Sequence, residues 1–116
     1  MSSRRSERFR GLLLEAIAEI LLYEVKDPRV SAVSLTGVAV SPDLREAKIF
    51  FTTRQAEEQT AALAGLRSAT GYIKRQIASR LRLRHMPDLH FFYDTTLDQA
   101  NRLETLLRQA GRREQE

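Results

Sequence analysis

Between positions 9 and 51 the spacing of apolar residues changes once, and that change commits the chain to a mixed α and β fold. Phe9, Leu13, Ala16, Ile17, Ile20 and Leu21 recur at steps of three and four, which is the repeat of an amphipathic helix. Leu12, Leu14 and Leu22 widen the apolar face, so this helix is predicted to lie flat on a sheet. Glu15, Glu19 and Glu24 fall on its polar side and are expected to be solvated. The helix should run from about Glu7 to near Lys26, because Asp27 precedes Pro28 and a residue before proline is pushed out of the helical region. From Ser31 the period becomes two. Val33 and Leu35 alternate with polar residues, and Val38 and Val40 continue on the opposite parity after Gly37. A phase flip at glycine is the signature of a β-bulge that keeps the apolar side chains on one face.

Ser41-Pro42-Asp43 makes a turn, and Ala47, Ile49 and Phe51 alternate with Lys48, Phe50 and Thr52 in a second, antiparallel strand. A helix is expected from about Gln55 to Ala69 through Ala62, Leu63 and Leu66. Gly71 interrupts it, and Ile73, Ile77 and Leu81 mark the buried stripe of a further helix that Met86-Pro87 ends. Leu89 to Tyr93 is a third strand of β-favouring residues. Thr96 with Gln99 resembles a capping box, opening a last helix whose one side is traced by Leu97, Ala100, Leu103, Leu107 and Ala110 and which Gly111 stops. The predicted class is α+β, in the order α-β-β-α-(kink)-α-β-α, with helices packed on one face of a three-stranded mixed sheet. Lys48 and Phe50 would point from the other face to solvent. Residues 1–6 read as a flexible basic N-terminus, 7–111 as one domain and 112–116 as a short disordered tail.

The chain is 116 residues long with no cysteine, which removes disulfides, thiolate metal sites and cysteine nucleophiles and fits a reducing compartment. No apolar run approaches the length of a membrane span, and the charged start does not resemble a signal peptide; the expectation is a cytoplasmic protein with no membrane partner. His85 and His90 lack a carboxylate or thiolate at ligand spacing. Phosphate-loop, nucleophile-elbow and zinc-protease motifs are absent from the sequence. The expectation is therefore a non-enzyme, without catalytic residues, metal, cofactor or small-molecule substrate.

Lys plus Arg outnumber Asp plus Glu by 19 to 15, and the excess is not evenly spread. Lys74, Arg75, Arg80, Arg82 and Arg84 lie within eleven residues that include no acid, a pattern suited to phosphate. They follow Ala69-Thr70-Gly71, whose glycine sacrifices about 1 kcal/mol of helix propensity relative to alanine. Small residues there would let an RNA backbone approach the amino end of the following helix, where unpaired N–H groups favour phosphate. At about 100° per residue, Gly71, Arg75, Ser79 and Arg82 share a face distinct from the apolar stripe. Arg4, Arg5, Arg8 and Arg10, with only Glu7 among them, make a second cationic group that could order on binding. The alternative for the run is a solubilising face with its stems on the core.

Lys26-Asp27-Pro28-Arg29, Thr36-Gly37-Val38, Ser41 with Asp43-Leu44, Ala47-Lys48, Gly71-Tyr72-Ile73, Leu81-Arg82-Leu83-Arg84, Pro87-Asp88-Leu89 and Phe91-Phe92-Tyr93-Asp94 stand along this order of elements. Together they resemble the ribosome-binding factor A family of bacterial ribosome-assembly proteins. The resemblance implies a type II KH-like domain in which an interrupted helix carrying Ala69-Thr70-Gly71 replaces the usual glycine-rich loop. It also implies a monomer that binds the small (30S) ribosomal subunit and its 16S rRNA, promotes late maturation and 5′-end processing, and supports growth in the cold. The alternative is a protein-interaction module that docks a partner through its exposed sheet face.

Overall fold

The computed structural model describes residues 4–114, and the side chains of all of these except 97–101 and 112–114. The elements are α1 (Arg4–Tyr23), β1 (Val33–Val40), β2 (Glu46–Thr53), α2 (Gln59–Leu81), β3 (Asp88–Tyr93) and α3 (Thr96–Glu114), with short 3₁₀ turns at Pro28–Val30 and Ala56–Glu58. The strands form one sheet in the order β1-β2-β3. β1 and β2 are antiparallel and β2 and β3 parallel, as the short turn and the long helical crossover predict. The expected bulge is present: pairing shifts between Leu35 and Gly37, so Val33, Leu35, Val38 and Val40 are all half-buried against the core.

That core lies between the sheet and the two helices α1 and α2. Leu13, Ile17 and Ile20 of α1, Ile49 and Phe51 of β2, and Leu66, Ile73 and Ile77 of α2 are wholly shielded from water, each contributing on the order of 1.5–3 kcal/mol of burial. Phe51 packs edge-on against Tyr93, with ring centroids 5.6 Å apart.

Several boundaries differ from those the sequence predicts. α1 begins at Arg4, so Arg4 and Arg5 sit on its first turn, and it ends at Tyr23, where the N–H groups of Glu24 and Val25 both donate to the carbonyl of Ile20. The two helices expected on either side of Gly71 are one: α2 is helical without interruption from Gln59 to Leu81. One glycine costs about 1 kcal/mol, which burial of Ile73 and Ile77 on one side and Ala62 and Leu66 on the other outweighs. Thr70 Oγ1 donates to the carbonyl of Leu66 at 2.8 Å, a back-bond that bends a helix without breaking it.

α2 ends at Leu81, well before Met86. Arg82 adopts the left-handed conformation (φ 52°, ψ 46°) as C-cap, its N–H bonded to the carbonyl of Ala78. α3 continues through Gly111 to Glu114, and Leu103 and Leu107 on its apolar side are mostly exposed. Two helices about 10–12 Å across already cover three strands spaced about 4.8 Å apart, which leaves no place for a third on that face. The capping partner Gln99, with Leu97 and Ala100, lies outside the described side chains; Thr96 N–H is instead capped by the Asp94 carboxylate at 2.9 Å.

Candidate nucleic-acid interface

β3 is an edge strand, and α2 runs beside it. Arg67 and Thr70 of α2 face Leu89, His90, Phe91 and Phe92 across a groove of about 250 Å³. Farther along α2, Lys74 Nζ reaches the Asp88 carboxylate at 2.9 Å. The hydrogen bond from Lys74 holds the Asp88 carboxyl below its usual value. On a helical projection Arg67, Gly71, Lys74 and Ala78 form one stripe, with Arg75 at its border. The groove thus has a cationic helix on one side and, on the other, an edge strand whose outer backbone groups have no strand partner.

The cations expected to meet phosphate divide by what they touch. Arg80 is committed to α1: its guanidinium bonds Glu19 at 3.1 Å and also Glu24. Glu24 in turn accepts from the Tyr72 hydroxyl at 2.9 Å, which raises the tyrosine pKa. Glu19, Glu24 just past the end of α1, and this arginine are therefore an interhelical tie, not the solvated faces their spacing predicts, whereas Glu15 is exposed as expected. Arg75, Arg82 and Arg84 are exposed and make no ion pair among the described residues. Arg82 and Arg84 lie beyond the helix end, so the face predicted to join Arg82 to Gly71 and Arg75 does not exist as a helical face.

Ala69 and Thr70 are half-buried, and Gly71 is exposed. Because α2 is continuous there, its N–H groups are spent on helical hydrogen bonds, and the predicted phosphate site at a helix start is absent. What remains is the bare backbone at Gly71. A Cβ added at this position would meet only the Arg75 guanidinium, at 3.7 Å. Gly65, in the same helix, is different: its Cβ would stand 2.9 Å from Val30 Cγ1 and 3.0 Å from Arg29 Cβ. Internal packing therefore demands glycine at 65 and does not demand it at 71.

Arg4, Arg5 and Arg8 are exposed on the first turns of α1, and Arg10 is half-buried, 4.0 Å from Glu7. Among the described residues no group of three or more His, Cys, Asp or Glu could hold a metal, and no helix is long and apolar enough to cross a membrane. His90 Nε2 lies 2.6 Å from the Glu46 carboxylate on the neighbouring strand, a cross-strand pair rather than a ligand set.

This arrangement, an antiparallel pair extended by a parallel third strand with a glycine-bearing helix along its edge, has counterparts of known identity. The sequence profile of ribosome-binding factor A matches residues 5–107. The chain belongs to the ribosome-binding factor A family. The family member from Thermomicrobium roseum is 46% identical over 110 residues, covering 94% of this chain and 85% of its own length. The crystal structure of ribosome-binding factor A from Thermus thermophilus superposes with a TM-score of 0.67 at 26% identity, covering 75% of this chain and 92% of that one. A homology model of the Thermus thermophilus factor, fitted into a cryo-electron microscopy map of its complex with the 30S subunit, superposes with a TM-score of 0.62 at 27% identity, covering 73% and 90%. The fold is accordingly the KH-like α+β fold of ribosome-binding factor A.

Two residues at this interface escape a reading of the sequence alone. Arg67 lines the groove, yet it precedes the cationic run and is separated from it by Ser68 to Ile73; its position one helical turn before Gly71 is the signal that finds it. Phe92 is read only as one of the β-favouring residues of the third strand, with no face assigned, and is 43% exposed. Strict alternation from Leu89 and Phe91 would have placed it on the outer face.

Proposed function

We propose that this chain binds the small ribosomal subunit during the late stages of its maturation, contacting 16S rRNA near its 5′ end through the α2–β3 groove. Holding the rRNA there would support 5′-end processing and growth in the cold, without chemistry performed by the protein. The observation that carries the reading is the exposed glycine of α2, for which the fold has no packing use, set among Arg67, Arg75 and the edge of β3. Phosphates can approach the helix backbone at Gly71 more closely than at any residue with a side chain. Arg67, Arg75, Arg82 and Arg84 supply charge, and Arg4, Arg5, Arg8 and Arg10 extend it along α1. Lys74 can join by exchanging Asp88 for phosphate, while Arg80 serves the fold. The protein acts as a monomer in the cytoplasm and needs no cofactor.

Crosslinking the purified protein to immature small subunits and mapping the attached rRNA tests this directly. The expected result is a cluster of crosslinks near the 5′ end of 16S rRNA, lost when Arg67 and Arg75 are both reversed to Glu. Crosslinks confined to ribosomal proteins would overturn it in favour of a protein-docking module.

A further inference from the structure

The sheet face turned away from α1 and α2 carries a second feature that the groove does not use. Phe50 and Phe92 stand directly opposite one another on β2 and β3. Their ring centroids are 6.0 Å apart and their planes tilted by only 33°, so together they form a shelf instead of an edge-to-face pair. Lys48 places its ammonium 5.9 Å from the centroid of the Phe92 ring. Gly37 is the partner of Phe50 on β1 and has open space where a side chain would stand, which leaves the outer flank of that ring clear.

We propose that this shelf is a stacking platform for unpaired bases of single-stranded RNA, one base on each ring, with Lys48 turning from the Phe92 ring to the intervening phosphate. The proposal rests on the reading of the protein as an rRNA binder and adds a second contact to it. Three observations select this occupant. The rings lie side by side on neighbouring strands, 6.0 Å apart, so bases seated on both would lie beside each other and not on top of each other as in a duplex, an arrangement open to an unpaired strand. The rings sit beside Lys48, Thr52 and the His90–Glu46 pair, with Ala39 as a small apolar neighbour; that is too little apolar area for the core of a protein interface but enough for two bases. Finally, Phe92 also lines the α2–β3 groove, so a strand leaving the shelf passes directly to Arg67.

The test compares binding of a short uridine oligonucleotide with that of an abasic oligonucleotide of equal length, which keeps the phosphates and lacks the bases. Wild-type protein should prefer the base-bearing strand, and Phe92→Ala should lose roughly 5- to 100-fold of affinity for it with little change for the abasic one. Phe92→Tyr should restore the preference, and circular dichroism of each variant checks that the fold is intact. Equal affinity for the two strands, or a preference that survives Phe92→Ala, overturns the platform. Loss of a ribosomal-protein contact on Phe92→Ala without any base preference also overturns it and makes the face a protein-docking surface. Small-subunit binding measured separately keeps the two readings apart: base preference without subunit binding would retain the platform and sink the assembly role.

Discussion

Replacing Gly71 by alanine should make the protein more stable and its RNA binding weaker, two effects that a purely structural glycine could not produce together. The added methyl would meet only the Arg75 guanidinium at 3.7 Å, an ordinary contact at the end of a flexible side chain, so no steric cost opposes it. The gain is the propensity difference between glycine and alanine in a helix interior, about 0.8–1.0 kcal/mol, part of it from a less flexible unfolded chain. For a domain of this size that amounts to a rise in melting temperature of about 3–6 °C. The methyl would also stand where a phosphate is proposed to approach the backbone, so affinity for small subunits should fall. Gly65→Ala is the control: with Val30 Cγ1 at 2.9 Å and Arg29 Cβ at 3.0 Å, overpacking of about 1–3 kcal/mol should cancel or exceed the propensity gain, leaving subunit affinity unchanged wherever the variant folds. Thermal melts and binding titrations on the same preparations provide both readings. A Gly71→Ala protein that melts higher and binds as tightly as wild type would refute the close-approach reasoning, and one that melts lower would refute the packing account.

Arg80→Gln should lower stability by up to about 1 kcal/mol, as expected for exposed ion pairs, by releasing Glu19 and Glu24; because the arginine is already committed to α1, subunit affinity should not change, and chemical denaturation with a binding titration checks both halves. Acid should weaken the fold through Asp27, Asp43, Asp88 and Asp94, whose carboxyls are all held below the ordinary value of 3.8 by hydrogen-bond donors. Between the lowered native values and 3.8 the unfolded chain binds protons that the native one does not, so the stability these groups contribute is complete above that value and is lost as pH falls through the native ones. Denaturant midpoints measured from about pH 5 downward should show this decline, and Asp94→Asn, which keeps the shape of the Thr36 and Thr96 contacts without the charge, should make it shallower.

The order of elements, the sheet pairing and the bulge at Gly37 were legible because each rests on a local signal: a change of period, a short turn, a glycine at a phase flip. The same local reasoning placed a break at Gly71 and a helix running on toward Met86. The first failed because a propensity cost of about 1 kcal/mol is small beside the burial of the side chains on either side of it. The second failed because the helix end is set by Arg82 entering the left-handed region, a conformation that no residue type at that position announces. The cationic run was visible as charge, but its division into Arg80, which ties two helices, and Arg75, Arg82 and Arg84, which face solvent, depends on where α1 lies, far earlier in the chain. Nothing in the sequence around Gly65 marks it as the glycine the packing requires, because the Val30 and Arg29 contacts that exclude a side chain come from a turn far earlier in the chain.

The most direct test of the central claim is the salt dependence of binding to purified immature small subunits, measured for wild type and for Arg67→Glu/Arg75→Glu. The variant should bind more weakly, with a plot of log affinity against log salt shallower by about 0.7–0.9 for each phosphate contact removed and an unchanged melting temperature. Equal affinities and equal slopes for the two proteins would contradict that claim.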